Sequence, residues 1–174
     1  MLVSFSGVPG TDRSKVIKLI SKSRKWPIAP AMGVEAFKIQ QDRDPAEVAS
    51  IQYAAMYSAL AQVAALSKQN CLLDRSYVDV YAYTLYKERK GYITAAAKKR
   101  VEDTFLSASK KIPLRVIYFG PDSSALSVVK DQDDQYLIDE LFQEALSMLP
   151  DNFIFEVPSG TLDAKVDAIL EYLE

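Results

Sequence analysis

The first fifteen residues constrain the fold most, because an apolar run, a turn rich in Gly and Pro and a helical pattern follow one another without interruption. Residues 2–6 are predicted to form a short buried strand, since they are mostly apolar, as a central parallel strand should be. Residues 7–11 form the turn, and residues 13–22 carry apolar side chains on one helical face. This order is the layout of a phosphate-binding loop, in which backbone N–H groups at a helix N-terminus surround an anion.

The loop departs from the usual phosphate-binding pattern at two positions. The pattern is G-x-x-x-x-G-K-[ST], and this chain keeps its first glycine as Gly7 and its final hydroxyl as Ser14. Asp12 replaces the second glycine, so a carboxylate would face the phosphates. Arg13 replaces the lysine; it keeps the positive charge but presents a larger planar group that is not equivalent to an ammonium.

Even with these changes, the loop is the predicted site for donor phosphates. The phosphate-binding candidates are Gly7, Gly10, Thr11, Asp12, Arg13 and Ser14. Arg13 would supply a catalytic positive charge, and Ser14 would be a Mg²⁺ ligand. The alternative is that Asp12 and Arg13 form an ion pair that only caps the helix, because aspartate is favoured at the N-cap and at the positive end of the helix dipole.

The composition excludes several classes of site. The chain has 174 residues, which predicts one domain over 1–174 with a sizeable core. The absence of histidine excludes Ser–His–Asp and Cys–His catalysis and histidine metal sites. A net charge of −2 provides no bulk attraction to nucleic acid. The single cysteine, Cys71, lies in an apolar run and is predicted to be a buried thiol.

The sequence predicts a cytoplasmic protein without membrane contact. Its first residues lack the basic region and long apolar stretch of a signal peptide. Residues 46–66 contain a single charge, Glu47, over about the length of a membrane span. Their apolar content is mostly alanine mixed with polar residues, which favours a buried helix over a membrane helix.

Strand-like and helix-like segments alternate along the chain. Strands are predicted at 2–6, 70–75, 113–120 and 152–157, and helices at 13–22, 45–67, 76–88, 94–110, 121–124, 135–149 and from 159–161 onward. Residues 26–30 read as an edge segment or loop, and residues 32–41 show no clear pattern. The alternation predicts a three-layer α/β/α fold, with a parallel sheet and helices on both faces. Ligands of such folds bind at the carboxyl ends of the strands.

A second polar motif follows the predicted strand at residues 70–75. Asp74 would hold Mg²⁺ or act as a base on a substrate hydroxyl, and Arg75 would clamp a substrate phosphate. Tyr77 and Tyr81 lie one helical turn apart and would stack on a base. The predicted substrate-binding set is Arg75, Tyr77, Asp79 and Tyr81, and the predicted catalytic set is Arg13, Asp74 and Arg75. The alternative is a structural ion pair and core tyrosines.

These motifs together resemble a known family. Gly7-Val8-Pro9-Gly10-Thr11 matches a G-x-P-G-T opening, and Leu73-Asp74-Arg75-Ser76 resembles a D-R-[YS] motif. Tyr118-Phe119-Gly120-Pro121-Asp122 resembles the strand and turn before a lid. Over nearly its full length the chain resembles the P-loop kinases of the nucleoside and nucleotide group, which includes thymidylate kinases and nicotinamide riboside kinases. The resemblance implies that ATP and Mg²⁺ are used, that Asp74 and Arg75 bind the acceptor and help with Mg²⁺, and that Ser14 is a metal ligand.

The segment that matches the lid departs from the family. Lids of this family carry arginines, whereas residues 126–134 contain no arginine, one lysine and three aspartates. Two hypotheses follow, with the lid-like segment at about 126–135. The first is ATP-dependent phosphoryl transfer to a nucleoside, a nucleotide or a nucleic-acid end by an enzyme with an eroded donor site. The second is a catalytically inactive kinase fold that binds a nucleotide, a nucleic-acid end or a protein partner through the face formed by residues 74–83, with residues 45–67 available for a homodimer.

Two charge runs remain, at residues 87–90 and 98–100. Together they would form a basic patch for nucleic acid or a polyphosphate. The alternative is a solvated helix surface, because charge runs on helices are usually exposed faces.

Overall fold

The structure, a computed structural model, describes residues 1–38, 42–112, 114–121 and 132–174. Within these residues, five parallel strands form one sheet in the order β2-β3-β1-β4-β5. The strands are β1 Leu2–Gly7, β2 Ile28–Ala29, β3 Cys71–Asp74, β4 Arg115–Phe119 and β5 Ile154–Glu156. The four predicted strands are confirmed, and the two-residue β2 lies at the edge, in the stretch read as an edge segment or loop.

Six helices complete the fold among the described residues. They are α1 Arg13–Arg24, α2 Pro45–Leu66, α3 Tyr77–Arg89, α4 Ala95–Ser109, α5 Gln132–Leu146 and α6 Leu162–Tyr172, with short 3₁₀ turns at Val34–Phe37 and Asp151–Phe153. Each matches a helix predicted from the sequence, although α5 begins three residues earlier than expected. Residues 122–131 lie outside the described part, and with them most of the predicted 121–124 helix and of the lid-like segment.

Local side-chain caps explain where several helices begin. The Asp44 carboxylate accepts a hydrogen bond of 2.8 Å from the Ala46 N–H, and Pro45 occupies the first turn of α2. Ser76 and Asp79 form a capping box at the start of α3. Side-chain caps of this kind satisfy N–H groups that have no partner within the helix. Each cap lies within one turn of the start of its helix.

The sheet is covered on both faces. The helices α1 and α6 pack on one face, where Val3, Phe5 and Ile117 point. The other four helices pack on the opposite face, against residues such as Val116 and Tyr118. Neighbouring residues of β4 therefore enter different layers, as the two-residue period of a strand requires. This arrangement confirms the predicted three-layer α/β/α fold.

The central position of β1 places the loop that follows it between two neighbouring strands. Phe5 is in register with Asp74 of β3, and Gly7 is in register with Phe119 of β4. Gly7 has φ +142°, and a Cβ there would lie 2.3 Å from the Phe119 carbonyl oxygen. Only glycine therefore fits at the end of β1, so the first glycine of the motif is required by β4 as well as by a ligand.

None of the helices in the described ranges combines the length and apolarity needed to cross a membrane. The stretch at 46–66 lies within α2, whose inward side is buried against the core.

Candidate functional site

The two motifs predicted from the sequence meet at the carboxyl ends of β1 and β3. The Arg13 Nη2 atom lies 3.3 Å from the Asp74 Oδ1 atom, so an ion pair joins the loop to the neighbouring strand. The pair does not have hydrogen-bond geometry, because Asp74 Oδ1 has no hydrogen-bond partner among the described residues. The two sides of the candidate site are therefore in direct contact through opposite charges.

Arg13 is directed beneath the loop. Its guanidinium is buried, donates to the Gly7 carbonyl over 3.4 Å, and has a second carboxylate, Asp79, at 3.9 Å. Burial, followed by the nearby Arg75 guanidinium, lowers the pKa of Arg13. The Arg13 Nε atom has no hydrogen-bond partner within the described residues. The predicted role of Arg13 on phosphates remains a prediction, since its charge is engaged by two carboxylates.

Asp79 is fully buried and makes three hydrogen bonds at the junction of β1 and α3. Its carboxylate accepts hydrogen bonds from the Ser6 hydroxyl at 2.6 Å, the Ser76 N–H at 2.9 Å and the Gly7 N–H at 3.4 Å. These contacts fix the end of β1 to the start of α3. The structure therefore gives Asp79 a supporting position, without the exposed surface that its predicted contact with substrate would need.

Asp12 is paired with lysines. Its carboxylate lies 3.4 Å from the ammonium of Lys165 on α6 and 3.8 Å from that of Lys15. Its side chain makes no capping hydrogen bond to α1. The alternative of an Asp12–Arg13 ion pair that caps the helix is therefore wrong, because each residue pairs elsewhere. The negative charge expected to repel phosphate is offset by Lys165, a contact between residues 153 positions apart.

Arg75 combines an unusual backbone angle with contacts to two aromatic rings. Its φ of +79° is in the left-handed region, which is costly for a residue with a side chain. Its guanidinium lies over the Phe37 ring at 4.5 Å and near the Tyr83 ring at 5.5 Å. Burial tends to lower the pKa of Arg75, but the charges of Asp79 and Tyr83 raise it overall. The Nη1 atom is buried and has no hydrogen-bond partner in the described ranges.

Tyr77 and Tyr81 do not lie at the predicted substrate site. Both pack against Phe105 of α4, with ring centroids 5.8 Å and 4.4 Å away. The Tyr81 hydroxyl donates to Glu102, and burial raises the pKa of Tyr77 to about 12. These tyrosines belong to the core, as the alternative reading of the sequence held.

The aromatic residues beside Arg75 are Phe37 and Tyr83, neither of which belongs to the substrate-binding set predicted from the sequence. Phe37 lies in the stretch without a clear pattern, so no local signal marked it. The sequence could have distinguished Tyr83 from Tyr81, because residues two positions apart lie on nearly opposite sides of a helix.

Ser14 and Asp74 are the candidate Mg²⁺ ligands at this edge. Ser14 is exposed, and the Asp74 side chain is one-third exposed, at 34%. No cluster of three or more carboxylates or cysteines that could hold a metal is present in the residues described. Mg²⁺ at phosphate sites commonly uses one or two protein oxygens together with water and phosphates. The two residues fit such a site and not a closed protein cage.

A cavity of about 250 Å³ lies beside the loop, on the side away from β3. Thr11 and Lys165 line it, together with the residues that follow β4 and β5. Tyr118, which donates to Asp139 of α5, also lies on its wall. Gln135 of α5 donates to the Pro9 carbonyl at 2.7 Å and so holds the loop beside the cavity.

The predicted basic patch is largely offset by carboxylates. Lys87 is buried, and four other cations of the two runs form ion pairs: Arg89 with Glu140, Lys90 with Asp134, and Lys98 and Lys99 with Glu102. Arg100 lies over the Tyr53 ring at 4.6 Å. This surface therefore does not support nucleic-acid binding through a basic patch.

Comparison with known proteins extends these observations. No protein-family model and no curated protein sequence matches the chain. Among solved structures, the chain is similar to a deoxyadenosine kinase from M. mycoides, with a TM-score of 0.74 and 15% identity over 99% of this chain and 98% of that chain. It is also similar to the NadR protein, with a TM-score of 0.67 and 15% identity over 98% of this chain and 49% of that chain.

A third similar structure is the YorR protein from Bacillus subtilis, with a TM-score of 0.57 and 19% identity over 100% of this chain and 96% of that chain. The chain spans about half the length of NadR and nearly all of the other two. At such identities the similarity establishes the fold alone. With the sheet order and the loop after β1, it confirms that the chain has the fold of the P-loop kinases.

Proposed function

We propose that the protein transfers a phosphoryl group from ATP to a nucleoside, a nucleotide or a nucleic-acid end. The observation that carries this proposal is that the loop after β1 and the acid Asp74 lie side by side at one edge of the sheet, because Phe5 of β1 is in register with Asp74 of β3. Further support comes from the similar deoxyadenosine kinase, whose structure holds dCMP and dCDP. The donor and acceptor would then bind on either side of the Arg13–Asp74 contact.

The donor phosphates would bind at residues 7–14, with backbone N–H groups as the main ligands. Gly10 has φ +81°, a conformation that orients its amide without a side chain in the way. The cavity beside Thr11 offers room for the rest of the donor. Ser14 and Asp74 would hold Mg²⁺, which neutralises charge on the phosphates when it is bound.

The acceptor would bind at Arg75. Stacking on Phe37 and the contact with Tyr83 hold the guanidinium in one orientation. Its unpartnered Nη1 group would donate to an acceptor oxygen. For a hydroxyl acceptor, Asp74 would take its proton while the acceptor oxygen bonds to the γ-phosphorus and the bond to the ADP oxygen breaks. Catalysis would rest mainly on positioning and positive charge.

A transfer assay over a panel of nucleosides, nucleotides and oligonucleotide ends tests this function. We expect Mg²⁺-dependent formation of a phosphorylated acceptor and ADP in equal amounts. Asp74→Ala should remove it, whereas Asp103→Ala, at an exposed carboxylate of α4, should not. No transfer by the wild-type protein to any acceptor, or full activity in Asp74→Ala, would reject the proposal.

A second candidate function is an inactive kinase fold that binds a ligand or partner. The observation that favours it is the engagement of Arg13 by Asp74 and Asp79, which leaves the loop without its usual phosphate-directed side chain. Titration of Mg·ATP by calorimetry separates the two candidates. Micromolar binding, about −8 kcal/mol, supports the enzyme, and no heat at millimolar ATP supports the binding protein. In the latter case, the double substitution Asp12→Gly and Arg13→Lys should create ATP binding if the rest of the loop is intact.

We also propose a homodimer through α2. Its outer face carries Ala54, Tyr57, Ala61 and Ala64, and Tyr57 is 66% exposed. These residues form an apolar stripe at helical spacing. Sedimentation equilibrium should show a dimer that Tyr57→Glu dissociates and that Glu140→Ala, on exposed α5 surface, leaves intact.

A further inference from the structure

Lys165 is a nearly buried lysine at the candidate donor site. It belongs to α6, far along the chain from the loop, and only 3% of its surface is exposed. Its ammonium lies 3.4 Å from the Asp12 carboxylate, and the residue lines the cavity beside Thr11. Burying an ammonium is costly without a charged partner, and Asp12 provides one that holds this cation at the cavity.

The loop itself does not supply a cation directed to this cavity. Arg13 takes the place of the motif's lysine, but its guanidinium contacts Asp74 and Asp79 on the β3 side. Lys15 has its ammonium 3.8 Å from Asp12, yet 74% of its side chain is exposed, so solvent screens its charge. Within the ranges that the structure describes, Lys165 is therefore the cation that combines low exposure with a place on the cavity wall.

We propose that Lys165, supplied by α6 and positioned by Asp12, binds the phosphates of the donor in place of the missing loop lysine. This inference rests on the proposed function, because it requires a nucleotide at the loop. An ammonium has three N–H donors, so one lysine can bind a carboxylate and a phosphate oxygen together. The carboxylate that replaces the second glycine then acts to hold a cation at the site, and the two departures from the motif compensate each other.

The test compares two lysines that share the partner Asp12. Lys165→Met and Lys15→Met are each titrated with Mg·ATP, Mg·ADP and adenosine. We expect Lys165→Met to weaken ATP and ADP binding roughly tenfold or more, the scale of a charge-assisted hydrogen bond. Adenosine binding should change little, because it has no phosphate. Lys15→Met should bind all three ligands within about twofold of the wild type.

A second comparison distinguishes a loss of binding from a loss of folding in Lys165→Met. Asp12→Asn is compared with the double variant Asp12→Asn/Lys165→Met, in which no unpaired carboxylate remains. The double variant should bind ATP roughly tenfold more weakly than Asp12→Asn. Circular dichroism and thermal melting check that each variant is folded.

The outcomes separate this inference from the proposed function. If the wild-type protein binds no nucleotide at millimolar concentration, the donor function fails and Lys165 loses its proposed role with it. If the wild type binds ATP and loss of Lys165 leaves the affinity unchanged in both comparisons, Lys165 is only a structural contact between α6 and the loop. That result would overturn the inference and leave the proposed function standing.

Discussion

The Arg13 guanidinium lies 3.3 Å from the Asp74 carboxylate, across the boundary between the loop after β1 and the end of β3. Asp79, fully buried, is the second carboxylate on the same guanidinium and also holds the Ser6 hydroxyl. One arginine therefore balances two acids that belong to different elements. Arg13 occupies the position that usually carries a phosphate-binding lysine, and here it also connects β1, β3 and α3.

Arg13→Met should destabilise the fold strongly, because it leaves the Asp74 and Asp79 charges without their partner. Loss of one member of a buried ion pair costs about 3–5 kcal/mol. Arg43→Met is the matched control, since Arg43 also pairs with two acids but its side chain is 42% exposed; it should cost less than about 1 kcal/mol. Urea denaturation measures both. Equal losses would show that the Arg13 pair has little effect on stability.

Tyr83 and Tyr77 of α3 should differ in how strongly they affect the KM for the acceptor. Tyr83→Phe removes a hydroxyl that interacts with Arg75, so the KM for the acceptor should rise roughly fivefold to tenfold, the equivalent of one hydrogen bond. Tyr77→Phe, with its ring packed on Phe105, is the control and should leave the KM unchanged. Steady-state kinetics at saturating ATP measures both values. A larger effect from Tyr77→Phe would restore the substrate-stacking role predicted from the sequence.

The sequence predicted the fold well because its signals are local. Periodicity, the Asp44-Pro45 start and the Ser76 cap each act within one helical turn. The sequence also predicted that the loop and Asp74 would lie close together, because neighbouring parallel strands end at the same edge of the sheet. A two-residue edge strand such as β2 has too few residues to show a period.

Other parts of the site could not be predicted because they depend on packing. The Lys165–Asp12 contact joins residues 153 positions apart, and no spacing rule links them. Tyr77 and Tyr81 share a helical face, but the sequence does not say which neighbour that face meets; α4 covers it. Phe37 reaches Arg75 only because a 3₁₀ turn packs against α2 and α3.

Lys87 should contribute stability that rises between about pH 8 and pH 10, against an opposing contribution from Cys71, whose pKa is raised by burial. Burial, followed by the nearby Arg43 charge, lowers the pKa of Lys87 to about 8, whereas an unfolded lysine has a pKa of about 10.4. Between these values Lys87 binds more protons in the unfolded state, so its contribution to the free energy of unfolding increases with pH. Above about pH 10 the free energy of unfolding decreases with pH. Burial raises the pKa of Tyr77 to about 12, so the tyrosine ionises first in the unfolded state.

Urea midpoints measured from pH 7 to pH 11 check this dependence. The stability of Lys87→Met relative to the wild type should fall between pH 8 and pH 10, and both proteins should lose stability above pH 10. Lys68→Met, at an exposed position after α2, is the control and should show the same pH dependence as the wild type in both ranges. A difference between Lys87→Met and the wild type that stays constant over this range would contradict the assignment to Lys87.

Arg75 should show strain that glycine relieves. At φ +79° a side chain costs about 1–2 kcal/mol relative to glycine, so Arg75→Gly should be more stable than Arg75→Ala by about 1 kcal/mol. Both variants lose the guanidinium, so their contacts with Phe37 and Tyr83 are matched. Lys25, at φ +56° after α1, is the control position, where the same Gly–Ala difference is expected.

Activity distinguishes the two positions. Both Arg75 variants should fail to saturate with acceptor, whereas both Lys25 variants should remain active, because Lys25 lies at the end of α1 away from the loop. A stable, inactive Arg75→Gly protein would show that the strained backbone is retained for ligand binding. If Arg75→Ala is as stable as Arg75→Gly, the left-handed conformation is not held in solution, and the argument that Arg75 is preorganised for the acceptor fails.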